Sequence, residues 1–311
     1  MITFPNSKIN IGLNVVNKRP DGYHDIETVF YPVNLQDALE INLMKPLETS
    51  SIRKAVERTI GKSVEGARFI KPFGTGLTPD EKIDNTPYSL SLLGTKFPGE
   101  AKDNLVVKAY MMMLEDFILP SIDIHLYKHI PTGAGLGGGS SDCASMIMLL
   151  NRRFGLRLTD SCMERYAARL GSDCAFFIKN RPVFATGKGE IMAPIELSLK
   201  GYTLLLIKPD VSVNTKEAYD NISMGRPEIP LRDAVKRPIR EWKDLIFNDF
   251  EKHVFSKSPQ ISDIKQKMYD FGALYAAMTG SGSTVYGIFE NPLDNPAYLF
   301  PDMFCRQREL L

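Results

Sequence analysis

Near the amino terminus Ile9, Ile11, Leu13 and Val15 alternate with Asn10, Gly12, Asn14 and Val16, a period of two that predicts a strand with one buried face. Arg19 to Gly22, RPDG, reads as a turn. Ile26 to Leu43 has the β-branched and aromatic content of paired strands, interrupted at Pro32 and Asp37, so an antiparallel sheet is expected here. Farther on, Leu105, Val106, Ala109, Met112 and Met113 recur at helical spacing behind Asn104, a residue able to cap the helix; Met111 to Met113 read as packing. Ile122, Ile124 and Leu126 alternate with Asp123, His125 and Tyr127, a half-exposed strand running into Pro131. Helices are predicted over 144–154 and 160–171, the second closing on Gly171, followed by strands over 175–178, 182–186 and 202–207. From Leu199 the order is strand, helix over 215–222, proline-rich linker, helices near Trp242 and over 261–271, then a strand over 285–289. That is a second α+β unit. Between Pro46 and Lys102, short pieces of both kinds mix with Gly and Pro clusters, an insertion of no predicted shape.

Size and composition fit this division. The 311 residues exceed one ordinary core, so two domains of roughly 100–200 residues are expected. With 43% hydrophobic and 24% charged residues, the composition is that of a folded chain rather than a disordered one. Lys and Arg total 38 against 37 for Asp and Glu, so no global field favours nucleic acid or an acidic membrane, and an anion must be captured locally. Cys143, Cys162, Cys174 and Cys305 form no CxxC pair, as expected of reduced thiols rather than a zinc site. MITFPNSKIN has no basic flank before an apolar run, and no segment reaches the ~18 apolar residues of a membrane span. A cytoplasmic location is the expectation.

The chemistry is concentrated in Pro131 to Asp142, PTGAGLGGGSSD. Closely spaced glycines let backbone N–H groups approach an anion, and the helix that follows aims its positive end there. Gly133, Gly135 and Gly138 satisfy GxGxxG, yet the alternating strand before them is unlike the doubly buried first strand of a dinucleotide fold. A P-loop is excluded, because no Gly-Lys-Ser/Thr follows; the only GKS, Gly61 to Ser63, lacks the required first glycine, with Val56 in its place.

Pro131 to Ser141 fits the Pro-x-x-x-Gly-Leu-Gly-Ser/Gly-Ser-Ser loop of the galactokinase, homoserine, mevalonate and phosphomevalonate (GHMP) kinase superfamily, which the chain resembles. Within it, SKINIGLNVVNKRPDGYH is similar to the members that phosphorylate a cytidine-diphosphate-linked methylerythritol. DNLVVKA, LGSDCAFF and TGSGSTVYGIF agree, so the resemblance spans Pro5 to Phe289. The Gly-Glu-His motif of galactokinases and the Ala-Asn-Leu-Gly motif of homoserine kinases are absent.

The resemblance implies an α+β, two-domain fold: an N-terminal ribosomal-protein-S5-like β/α domain over 1–195, with the insertion at about 46–102, and a C-terminal ferredoxin-like α/β sandwich over 196–311. It implies ATP with Mg2+, a small-molecule acceptor, no nucleic acid or membrane partner, and a monomer or homodimer. Lys8 and Asp173 match its catalytic pair, in which an ammonium orients a carboxylate that accepts the proton of the substrate hydroxyl. For ATP it implies Pro131, Gly133, Ala134, Gly135, Leu136, Gly137, Gly138, Gly139, Ser140 and Ser141, with Asn104 and Lys128 bordering the adenine. Ser140 and Ser141 are open to phosphate contact, magnesium or helix capping. Asp142 competes with Asp173 but reads as a first-turn carboxylate suiting the helix dipole. No carboxylate pair identifies metal ligands. For the cytidine end the resemblance implies Asn10, Tyr23 and His24, with Tyr219 as a second stacking aromatic, and it assigns Gly280, Ser281 and Gly282 to a third loop. Ser7 and Ser172 stand where alanine is usual, and Cys174 where valine is common. A nucleotide-binding protein without catalysis is the rival from a different class.

Overall fold

The computed structural model describes residues 1–44, 86–95, 99–222 and 227–310. In chain order the strands are β1 (Ile2–Thr3), β2 (Asn6–Lys18), β3 (His24–Gln36), β4 (Ala38–Leu43), β5 (Tyr88–Gly94) and β6 (Ile122–Lys128). They continue with β7 (Val183–Thr186), β8 (Ile191–Pro194), β9 (Thr203–Lys208), β10 (Tyr275–Met278), β11 (Val285–Phe289) and β12 (Phe304–Glu309).

Among the described residues these form three four-stranded sheets, ordered β2-β3-β7-β8, β1-β4-β6-β5 and β10-β11-β9-β12. The first and third are antiparallel throughout. In the second, β6 pairs antiparallel with β4 and parallel with β5. Helices Leu105–Asp116 and Gly138–Phe154 close one side of that sheet, so Ile122, Ile124 and Leu126 of β6 enter the core with Val106, Tyr110, Ile147 and Leu150. Asn104 caps the first helix as expected, its side chain accepting from the Val106 N–H.

Several local expectations change. Pro32 does not break β3, which runs through it and ends just before Asp37; β3 is hydrogen-bonded along its length to β2. Residues 175–178 are not a strand, because Phe176–Lys179 forms one helical turn whose Phe176 and Phe177 pack under helix Gly138–Phe154. The helix after the glycine loop starts inside it, at Gly138, and so Asp142 lies in the second turn rather than the first. β1, β5, β8, β10 and β12 carried no prediction. The insertion expected at 46–102 falls mostly outside the described residues; its described part holds β5 and a 3-10 turn at Ala101–Asp103.

The largest departure is β2. Its apolar face is buried as predicted, but Lys8, Asn10 and Asn14 on the other face are buried as well. A polar face removed from water must find partners, and β2 supplies them by forming the floor of a cleft rather than a solvent edge.

Candidate active site

Lys8 projects from β2 into this cleft, and its Nζ lies 3.3 Å from Asp173 Oδ2 and 2.5 Å from Asn10 Oδ1. The ammonium stands 5.0 Å from the centroid of the Phe30 ring, a cation–π contact over the face of the ring. Asp173, in the bend after helix Asp160–Leu170, keeps 29% of its side chain exposed and accepts from the Ser172 hydroxyl at 3.2 Å. A buried cation beside a half-open carboxylate is the arrangement expected of an oriented general base. Asn10 Nδ2 donates to Thr28 Oγ1, and Thr28 in turn donates to the Gly12 carbonyl, so the side chains around Lys8 are held by β2 and β3 themselves.

Two cavities lie close to this pair, which lines the larger of them. One, of about 290 Å³, is lined by Pro131, Gly133, Ala134, Gly135, Gly137, Gly138, Gly139, Ser140 and also Asn104, Lys128 and Asp142. The N–H groups of Gly138, Gly139 and Ser140 have no acceptor among the described residues, the orphan donors that a helix N-terminus offers to an anion. Capping by Ser140 or Ser141 is not what happens: the cap residue is Gly137, at φ +69°, with no side-chain bond. Leu136 contributes its carbonyl to the Lys8 N–H, while its side chain and Ser141 are buried. A Cβ on Gly137 would lie 3.0 Å from Lys8 Cγ, so the glycine is needed for the lysine stem to pass.

The other cavity, of about 670 Å³, is lined by Lys8, Asn10, Tyr23, His24, Asp173, Tyr219, Gly280 and Ser281, among others. The rings of His24 and Tyr219 stack there with centroids 5.0 Å apart and an interplanar angle of 16°. Burial, reinforced by the charge of Asp173, pushes the Tyr219 hydroxyl pKa up. Tyr23 is exposed and lies beneath Lys188, whose Nζ is 4.5 Å from its centroid. Gly282 is not on this wall; it turns the chain behind it, where a Cβ would lie 2.6 Å from Met278 Sδ.

The two cavities adjoin along a seam. Thr279 Oγ1 donates to the Gly135 carbonyl at 3.0 Å and accepts from the Asn10 N–H. At Gly135, φ +75°, a Cβ would come within 2.0 Å of the Thr279 carbonyl. Thr279, Phe30, Thr28, Lys188 and Lys216 all escaped sequence reasoning. Only Thr279, adjoining GSG, carried a signal that could have found it.

Lys128 lines the glycine cavity together with Asn104. Its ammonium is enclosed by Asp37 Oδ2 and Asp142 Oδ2, and the three side chains are almost wholly buried. Asp37 Oδ1 further accepts the His129 and Ile130 N–H groups at 2.5 and 2.8 Å, tying the start of the glycine loop to the end of β3. Burial pulls the Lys128 pKa down, but the charges of Asp142 and Asp37 outweigh it and the net shift is upward. Asp142 is pushed up to about 7, chiefly by burial, which Lys128 only partly offsets. Its Oδ1 has no partner among the described residues.

The sign of this shift sets a pH dependence. A carboxyl raised from 3.8 to about 7 holds a proton in the folded chain that the unfolded chain releases, so its contribution is full below pH 4 and is lost as pH rises toward 7. Burial raises Asp249 and Glu251 in the same direction. Thermal midpoints are expected to fall between pH 5 and 7.5, and Asp142→Asn is expected to flatten that slope. A variant as steep as the native chain would contradict the assignment to Asp142.

This geometry is that of a small-molecule kinase. Residues 104–181 match the GHMP kinases N terminal domain and 231–297 the GHMP kinases C terminal domain. A Bacteroides fragilis protein, "4-diphosphocytidyl-2-C-methyl-D-erythritol kinase", is 48% identical over 310 residues, covering 100% of both chains. A Bacteroides thetaiotaomicron protein of the same name is 51% identical over 290 residues, covering 93% of this chain and 92% of its own. A crystal structure of 4-(cytidine 5'-diphospho)-2C-methyl-D-erythritol kinase superposes with a TM-score of 0.70 at 25% identity, over 94% of this chain and 91% of that one. The mevalonate kinase of Methanococcus jannaschii shares the fold at a TM-score of 0.61 and 14% identity. The chain belongs to the 4-diphosphocytidyl-2-C-methyl-D-erythritol kinase family. Among the described residues, no helix is long and apolar enough to cross a membrane.

Proposed function

We infer that the chain transfers the γ-phosphate of ATP to the 2-hydroxyl of 4-diphosphocytidyl-2-C-methyl-D-erythritol, a step of non-mevalonate isoprenoid synthesis. The observation that carries this reading is the Lys8–Asp173 pair, 3.3 Å apart, at the junction of a glycine-lined cavity and an aromatic-lined one. The first receives the ATP phosphates on the N–H groups of Gly138, Gly139 and Ser140. The second receives the acceptor, with its hydroxyl at Asp173 and its base against Tyr219 and His24. Asp173 takes the hydroxyl proton as the oxygen attacks, and Lys8 orients the carboxylate and faces the charge on the γ-phosphate.

Residues 1–195 and 196–311 serve as the two domains, with the seam at Gly135 and Thr279 between them. Mg2+ bound with ATP would supply the charge that offsets that of the phosphates. Such an ion would take most of its ligands from phosphates and water, and the Ser140 hydroxyl, on the glycine cavity wall, is the side chain that would reach it. The reaction draws on the cytoplasmic ATP pool, and the chain is assigned to that compartment.

ADP release from the purified chain is expected with the cytidyl substrate and not with mevalonate or homoserine. Turnover of either of those in preference to the cytidyl compound would overturn the reading. Tyr219→Ala is expected to raise KM for the cytidyl substrate on the order of tenfold to a hundredfold, the measured range for loss of one base-stacking ring. Its kcat should hold, since stacking is made equally in ground and transition states. A fall in kcat at unchanged KM would remove Tyr219 from the base site.

A further inference from the structure

Asn248 lies between helix Trp242–Leu245 and helix Glu251–Lys257, in the sequence FNDFE, and is buried. Its amide nitrogen donates to two carbonyls of the third loop, those of Met278 at 2.7 Å and Gly280 at 2.8 Å. Its oxygen accepts the Phe250 N–H at 3.0 Å, which fixes which way the amide points. On either side of Asn248 the chain is stitched to β2: the Leu13 N–H donates to the Phe247 carbonyl, the Asp249 N–H to the Leu13 carbonyl, and the Val15 N–H to Asp249 Oδ2. Glu251 Oε1 completes the hold by accepting the Met278 N–H.

The Met278 N–H and carbonyl are taken by Glu251 and Asn248, the Gly280 carbonyl by Asn248, and the Thr279 N–H by the Thr284 carbonyl. The N–H groups of Gly280 and Ser281 are left without an acceptor among the described residues, and both residues line the acceptor cavity. Thr279 Oγ1 passes the arrangement on by accepting from the Asn10 N–H, and the Asn10 side chain holds Lys8 Nζ.

We propose that Asn248 is a positioning residue for phosphoryl transfer: it turns the Met278 and Gly280 carbonyls away from the acceptor cavity and, through Thr279 and Asn10, fixes the Lys8 ammonium beside Asp173. The inference rests on the kinase reading above. Its physical basis is that Asn248 presents two donors to two carbonyls, which no carboxylate of the same size can do.

Asn248→Asp keeps the shape and replaces the donors with acceptors, so the loop is repelled. At a temperature well below its thermal midpoint, kcat is expected to fall at least tenfold, while Kd for a non-hydrolysable ATP analogue, measured by direct titration, stays within twofold. Thr279→Val, isosteric and one step along the same chain, is expected to lower kcat similarly. In the double variant the two losses are expected to be less than multiplicative, as for members of one network. Should Asn248→Asp fail to fold, Asn248→Ala takes its place in the same cycle. A kcat within twofold of native with only a lower midpoint would overturn the proposal, and so would multiplicative losses or a parallel loss of analogue affinity. A native chain inactive on the cytidyl substrate would instead overturn the kinase reading.

Discussion

Asp173→Asn is expected to abolish most turnover while leaving the nucleotide site intact. The carboxylate is 3.3 Å from the Lys8 ammonium and partly open to the acceptor cavity, and amide substitution preserves shape while removing the group that receives the hydroxyl proton. Loss of a general base costs ~10²–10⁴ in rate, so kcat should fall by at least that factor with Kd for an ATP analogue nearly unchanged. The fold is not at stake, because Asp173 is at the surface end of a bend and its remaining bond is to Ser172. Unchanged turnover would move the proton acceptor to Asp142, the other carboxylate beside the phosphate loop.

The second large effect is on stability. Lys128→Met leaves Asp37 and Asp142 facing each other in the interior without their cation, and breaking a buried ion pair from one side costs about 3–5 kcal/mol. In a chain of this length that amounts to a drop of roughly 10 °C in thermal midpoint. Adding Asp142→Asn to the variant should recover part of the loss, because one of the two stranded acids is then neutral. The combination separates two accounts of Lys128. If it is a structural bridge, midpoints move in this pattern; if it acts as an adenine contact, the midpoint holds and ATP affinity alone drops.

Much of this site could be read from residue order, and the reason is local. The SKIN strand, the glycine loop, the RPDGYH turn and the GSG loop each concentrate their chemistry within a few positions; Lys8, Asn10, His24 and Gly280 line one cavity and Gly138 the adjoining one. What escaped is non-local. Asp37 contacts Lys128 across 91 residues, and Thr279 reaches Asn10 across 269; neither pairing leaves a periodic trace. The burial of both faces of β2 escaped for a related reason. Alternation signals water on the polar side, but here the polar side faces a cleft walled by the other half of the chain. Residues 175–178 misled because an apolar run of four is compatible with a strand or a helical turn, and only packing beneath helix Gly138–Phe154 decides between them. Lys128, expected to border the adenine, lines the glycine cavity, and its two aspartates are invisible to a motif that ends at the loop.

The seam at Gly135 and Thr279 also bears on the order of events. Backbone meets backbone there, so the boundary between the two cavities is set before either substrate arrives, and the two share no lining residue. Neither ligand must pass through the other's compartment. Binding in either sequence then leads to the same ternary complex, and initial-rate plots against the two substrates should intersect rather than run parallel.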